Sequence, residues 1–194
     1  MTKLPHQVGA DLLKGALAGA VAGAVASALM NRLVALYPSK SAARGHGAQS
    51  LQPGQPEHGL GLSQIRRDGA WRHHQEDATE RLAECLTWEV AGLHLTARQK
   101  QWLGTMVHYL FGVGSAAAYG LLVEVLPLSR AGSGLPFGTA VWLGADEGAV
   151  PLLGLSTSPA EQPLSVHLTS IGTHWAYGLT TEFLRRQLRA GLLR

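Results

Sequence analysis

Residues Pro136 to Leu155 read PFGTAVWLGADEGAVPLLGL, with Asp146 and Glu147 at the centre of a stretch otherwise apolar or small. A helix of this length, rising about 1.5 Å per residue, is roughly 30 Å long, the thickness of a bilayer's hydrocarbon core. A carboxylate at mid-depth costs about 2.5 kcal/mol or more on insertion scales, so it is expected to face a partner or a cavity. Pro151 cannot donate to the carbonyl of Glu147, which predicts a kink or an unwound turn beside the acids. Successive helical residues point about 100° apart. One acid is therefore expected to pair with His174 while the other meets the opened backbone or water.

Working outward, Ser156 to Pro163 is a short polar turn without Lys or Arg, and Leu164 to about Leu184 is again apolar. Trp102 to Leu126 forms a further apolar span, closed by Pro127. Gly15 to about Leu36 forms the first, with Gly15, Gly19, Gly23 and Ser27 at every fourth position. Such a small-residue ridge lets a second helix approach closely in lipid. It serves a neighbouring span or a homo-oligomer built through Gly15, Gly19 and Gly23. A cleaved signal peptide processed within Ala24–Ala28 is the rival reading of this segment.

Residues 37–100 separate the first two spans and are read as an extramembrane loop. Its first part is rich in Gly, Pro, Ser and Gln. A helix is predicted over Glu76–Leu93, capped by Asp77 with Glu80, with Leu82, Leu86, Val90 and Leu93 on one face. That face is expected to pack on the bundle or lie in the membrane surface. Thr96 with Gln99 predicts a second capping box, opening the helix that runs into span two. His46, His58, His73, His74 and His94 lie in this loop without a zinc-ligand spacing, so they are read as solvated histidines.

The composition fits this division. Charged residues make up 15% of the 194 residues and are absent from Gly15 to Met30. Cys85 is the single cysteine, so no intramolecular disulfide forms. The pI near 9.3 reflects scattered or end-loaded basic residues, with Arg185, Arg186, Arg189 and Arg194 at the C-terminal end. That placement suits lipid headgroups better than nucleic acid. No P-loop, GxSxG or zinc-protease motif is present, so no enzyme is expected, and neither metal nor cofactor is assigned.

Ala118–Glu124 and Ala176–Glu182 share the pattern AYGLxxE. Two spans separated by one other cross in the same direction, so the pattern suggests two hairpins repeated in parallel. It also sets Glu124 and Glu182 at one depth, where Arg185 and Arg186 lie close in sequence to Glu182. Counting along the spans places Asp146 and His174 near mid-depth, with His108 and His167 toward the interface opposite Glu124 and Glu182. Asp146, Glu147, His174, His108, His167, Glu124, Glu182, Tyr119 and Tyr177 thus form a candidate pathway for protons or small ions. The same groups suit a hydrogen-bonded network that only fixes packing. A haem held by His108 and His167 is a remote alternative.

Several runs then resemble one family: His108-Tyr109-Leu110-Phe111-Gly112, the AYGLxxE of span two, Gly134-Leu135-Pro136-Phe137-Gly138, Trp142 to Glu147, and His174-Trp175-Ala176-Tyr177-Gly178. Together they resemble the bacterial YagU-like family of uncharacterised inner-membrane proteins, over about residues 76–188. The resemblance implies a multi-span inner-membrane protein of unknown activity, linked to acid tolerance. It carries no catalytic residues across.

The expectation is therefore an all-α, four-helix transmembrane bundle in a bacterial inner membrane. Residues 1–36 form the lead-in and span one, 37–100 the loop, and 101–194 the remaining spans and basic tail. The basic tail places both termini in the cytoplasm. Its function is either proton or ion handling, or non-catalytic assembly and partner binding.

Overall fold

The computed structural model describes residues 5–36 and 77–191, and these are all-helical. Most of the loop, with His46, His58, His73 and His74, lies outside them. Helix α1 spans Pro5–Leu36, α2 Ala78–Ala91 and α3 Ala97–Val125. A 3₁₀ segment, Pro127–Gly134, leads into α4, Leu135–Gly144. After a π-turn at Ala145–Ala149 and a last turn at Val150–Leu152, α5 runs from Leu164 to Gly191.

The core is built from backbone rather than from large side chains. A Cβ on Gly19 would strike the Ala116 carbonyl, and one on Gly120 would strike the Gly15 carbonyl. These contacts pair α1 with α3 in antiparallel fashion. In the second hairpin a Cβ on Gly138 would strike the His174 carbonyl, and one on Gly178 the Gly134 carbonyl. Gly134 is doubly constrained, because it also holds φ at 94° where α4 begins. Close packing of this kind maximises dispersion contact between helices. The Gly15–Gly19–Gly23 ridge is covered by α3 of the same chain.

The two hairpins are built to one plan. Gly15 meets Gly120 and Glu124 as Gly134 meets Gly178 and Glu182. A Gly-x-x-x-Gly pair facing an AYGLxxE helix is thus the repeated unit. Helices α3 and α5 both pack on α1 and run in the same direction, linked by side chains: Tyr177 donates to the Gly112 carbonyl, and Arg189 bonds Glu124 at 2.9 Å.

Two helices, Gln7–Leu36 and Ala97–Val125, are long and apolar enough to cross a membrane. Helix α4 is interrupted after Gly144, and α5 is diluted by His, Ser, Thr and Glu.

Several expectations need correction. The apolar stretch is not one helix to Leu155: it widens to a π-turn around the acids and ends at Leu152. Pro151 removes the bond to Glu147, and the Val150 N–H bonds Ala145 instead, five residues back. Thr96 and Gln99 form the capping box, but the Asp77 side chain makes no cap bond. Of the α2 face expected to pack on the bundle or lie in the membrane surface, Leu82 packs against Cys85 and Leu155, while Leu86, Val90 and Leu93 are turned outward. Arg81, Ala83, Glu84 and Cys85 are buried instead.

Adding a methyl at Gly120 or Gly178 forces the paired backbones apart. Gly120→Ala and Gly178→Ala are expected to lower stability by about 1–3 kcal/mol. Gly114→Ala meets nothing within 4 Å and is expected to be neutral or slightly stabilising. Thermal unfolding of the three purified variants checks the contrast.

Candidate functional site

The π-turn decides where the acids point. Both face α5, contrary to the expectation that only one would. The Ser170 hydroxyl donates to Asp146 Oδ2. Asp146 Oδ2 also lies 3.8 Å from His174 Nδ1. Glu147 Oε1 lies 2.6 Å from His167 Nδ1. An ordinary helical turn would splay two adjacent side chains further apart; the wider turn lets both reach one helix. On α5, His167, Ser170 and His174 follow at three- and four-residue spacing and share a face.

Proton positions follow from the partners. His167 Nε2 lies 3.1 Å from the Pro159 carbonyl, which only accepts. Its Nδ1 faces Glu147. Either His167 is an imidazolium beside a carboxylate, or a protonated Glu147 donates to neutral His167. Both arrangements hold one proton between the two side chains. Removing it sets a lone pair against an acceptor oxygen. His174 donates Nδ1–H to the Ser170 carbonyl at 2.9 Å, and its ring is 5% exposed.

The second polar cluster lies at the other end of the bundle. Arg185 bonds both oxygens of Glu182, at 2.7 and 2.9 Å, and Arg186 Nε bonds Oε1 at 2.6 Å. Arg185 also reaches Glu124, and Arg189 bonds Glu124 and Asp11. The Glu124 carboxylate raises the Arg189 guanidinium above its usual pKa, with Asp11 adding to the effect. Glu182 and Arg185 are 1% and 3% exposed. This network ties α1, α3 and α5 together.

Between the clusters the bundle is apolar. Ala26, Ala116 and Tyr177 are buried against Met30, Phe137 and Val141. Phe137 stacks on Tyr119 with centroids 4.3 Å apart. The Tyr177 hydroxyl is committed to the Gly112 carbonyl, with Ser115 Oγ at 3.3 Å. The expected pathway is therefore split into an acid/histidine face and an ionic cluster, with the Tyr119 hydroxyl bonded to Glu182 of the ionic cluster and Tyr177 between the two.

His108 belongs to the layer of His174 and Ser27 rather than that of His167. Its Nε2 is buried without a hydrogen-bond partner among the described residues. His167 has both ring nitrogens engaged and lies at another depth, so His108 and His167 do not form a bis-histidine haem site. No three His, Cys, Asp or Glu side chains converge as metal ligands among the described residues.

Sequence reasoning paired Arg185 and Arg186 with Glu182 but missed the roles of Arg189 and Asp11. Arg189 had a signal, since it follows Arg185 at four-residue spacing on one helical face. Asp11 had none, because its partner lies at the far end of the chain. Ser170 carried no signal in the sequence as a donor to Asp146, which lies 24 residues away on another helix.

The family model described as protein of unknown function (DUF1440) matches residues 77–183, more than half of the chain, and the chain belongs to that family. The match contains the acid/histidine face but excludes α1 and the arginine-rich end of α5. No curated protein and no solved structure matches the chain. The family carries no assigned activity, and neither the YagU-like name nor acid tolerance comes with the match.

Removing one member of a buried ion pair strands the other. Arg185→Met is expected to cost about 3–5 kcal/mol, and Glu182→Gln combined with Arg185→Met to recover most of that loss. Arg186→Met is expected to cost about 0–1 kcal/mol, because the Arg186 side chain is half exposed. Thermal or denaturant unfolding of the purified variants reads these differences.

Proposed function

We propose that the chain is a multi-pass membrane protein of the bacterial inner membrane, a four-helix transmembrane bundle that takes up and returns protons at Asp146, Glu147, His167 and His174. It is read as a non-enzymatic protein. The membrane part of this reading is supported by an inverted distribution of side chains. Buried positions include Ala18, Ala22, Ser27, Thr181, Glu182 and Arg185, while Leu17, Val21, Leu110, Phe183 and many other large apolar residues are exposed. In water that arrangement forfeits hydrophobic stabilisation; in lipid it does not.

The observation that carries the proton-handling reading is the engagement of both mid-helix acids with the histidine-bearing face of α5. Paired groups that share a proton at neutral total charge are suited to exchanging it. The apolar layer around Tyr177 favours exchange from one side of the membrane over conduction through it. Positive residues gather at the opposite, ionic end, which by the positive-inside tendency is cytoplasmic together with both termini. The acid/histidine face then opens toward the outer side.

Asp146→Asn, Glu147→Gln and His174→Gln, reconstituted at equal protein density in liposomes containing a pH dye, are expected to lower proton exchange at least about tenfold. Unchanged exchange in all three, with only a loss of thermal stability, overturns the proton-handling role and leaves a packing network.

A partner-binding role is the second reading. It is supported by a shallow apolar groove on the outer side of α4 and α5, where Gly132 and Ala140 leave room beside Leu143 and Trp175. Cross-linking from Leu143→Cys that recovers neither a second copy nor another protein counts against it.

A further inference from the structure

Helix α2 lies in the segment read as an extramembrane loop, its apolar face expected to pack on the bundle or lie in the membrane surface, and most of that face points away from the bundle while charged groups point inward. Inward, Arg81 Nη1 donates to the Leu155 carbonyl at 2.8 Å. Glu84 accepts from the Leu95 N–H at 3.1 Å, faces His94 Nδ1 at 3.3 Å and lies 3.8 Å from Lys100. Outward, Leu86, Val90 and Leu93 are 48%, 85% and 61% exposed and recur at helical spacing, with the exposed Glu89 on the same face at the Trp88 end. A helix bathed in water does the reverse, because it loses the burial of three large aliphatics while dehydrating an arginine and a glutamate. Against acyl chains both costs change sign.

Two further observations place α2 at bundle depth. Its Glu80 backbone packs directly on Gly104 of α3, where a Cβ would collide. Its Cys85 packs on Leu155, just past the broken end of α4, with Leu82 and Val150 around them. The polar groups that suit a headgroup layer collect at its other end. There Trp88 stacks on His94 with centroids 4.4 Å apart, and the Thr96–Gln99 capping box turns the chain into α3.

We propose that α2 is a lipid-embedded helix that enters the bilayer beside α3 without crossing it, with Leu86, Val90 and Leu93 against acyl chains. The inference rests on the membrane reading above and extends it to a segment read from the sequence as part of an extramembrane loop. The inversion of faces on α2 continues that of the bundle it packs on, so the same medium surrounds both. Through Arg81 the helix then holds the chain at Leu155, just past the turn that follows the acids.

Nitroxide labels at Val90→Cys and, separately, Leu93→Cys, in a Cys85→Ala background, test the proposal in liposomes of bacterial phospholipid. Leu110→Cys on α3 serves as the reference for the bundle surface. Power saturation with oxygen and with a water-soluble nickel chelate is expected to show oxygen dominating at positions 90 and 110, and less strongly at 93. Nickel dominating at 90 and 93 while oxygen dominates at 110 overturns the placement of α2 but leaves the membrane bundle intact. Low accessibility to both reagents at 90 and 93 also overturns it, because protein then covers that face. Nickel dominating at all three positions overturns the membrane reading itself.

Discussion

The fold depends on helix backbones coming into direct contact. Gly15 and Gly19 against Gly120, and Gly134 and Gly138 against Gly178, leave no volume for side chains at the crossing points. Many large apolar residues are thereby displaced outward, and the buried positions fall largely to Ala, Gly, Ser, Thr and charged groups, with Tyr119, Val123 and Tyr177 among them. A bundle built this way draws little on water exclusion. Its cohesion comes from dispersion between closely spaced backbones and from a few strong polar contacts.

The two hairpins share that plan but differ in what they carry. Where the first sets Ser27 against Gly112, the second sets Asp146 against Ser170. Ala116 and His174 occupy matching places, against Gly19 and Gly138. The acid/histidine face thus belongs to one half of a near-symmetric scaffold. The π-turn is also confined to that half, and it is what allows neighbouring acids to address one helix. Local irregularity of this kind is common where a helix carries function.

The ionic cluster plays a different part. Glu182 and Arg185 are nearly inaccessible, and each has its charge met at short range. Arg189 of α5 links Glu124 of α3 to Asp11 of α1, which ties together the two helices that pack on α1. Such a network specifies one arrangement of helices more than it adds stability, since burying charges offsets much of their attraction. The cluster of Ala116, Phe137 and Tyr177 lies between it and the acid/histidine face.

Composition and spacing alone determined that the chain is helical, that small residues line the helix crossings, and that Pro151 disturbs the helix beside the acids. They also exposed the AYGLxxE repeat and the pairing of Glu182 with Arg185 and Arg186. These features are local or periodic, so a linear string displays them. Only the tertiary structure decided that both acids face α5, that Asp11 joins Arg189, and that α2 turns Leu86, Val90 and Leu93 outward. Each of those depends on which helix lies opposite and in what register, and that is set by backbone contacts between residues far apart in the chain. The apolar stripe of α2 left packing on the bundle and lying in the membrane surface both open for a related reason: periodicity reveals that a helix has two faces, but which one is buried depends on the surroundings.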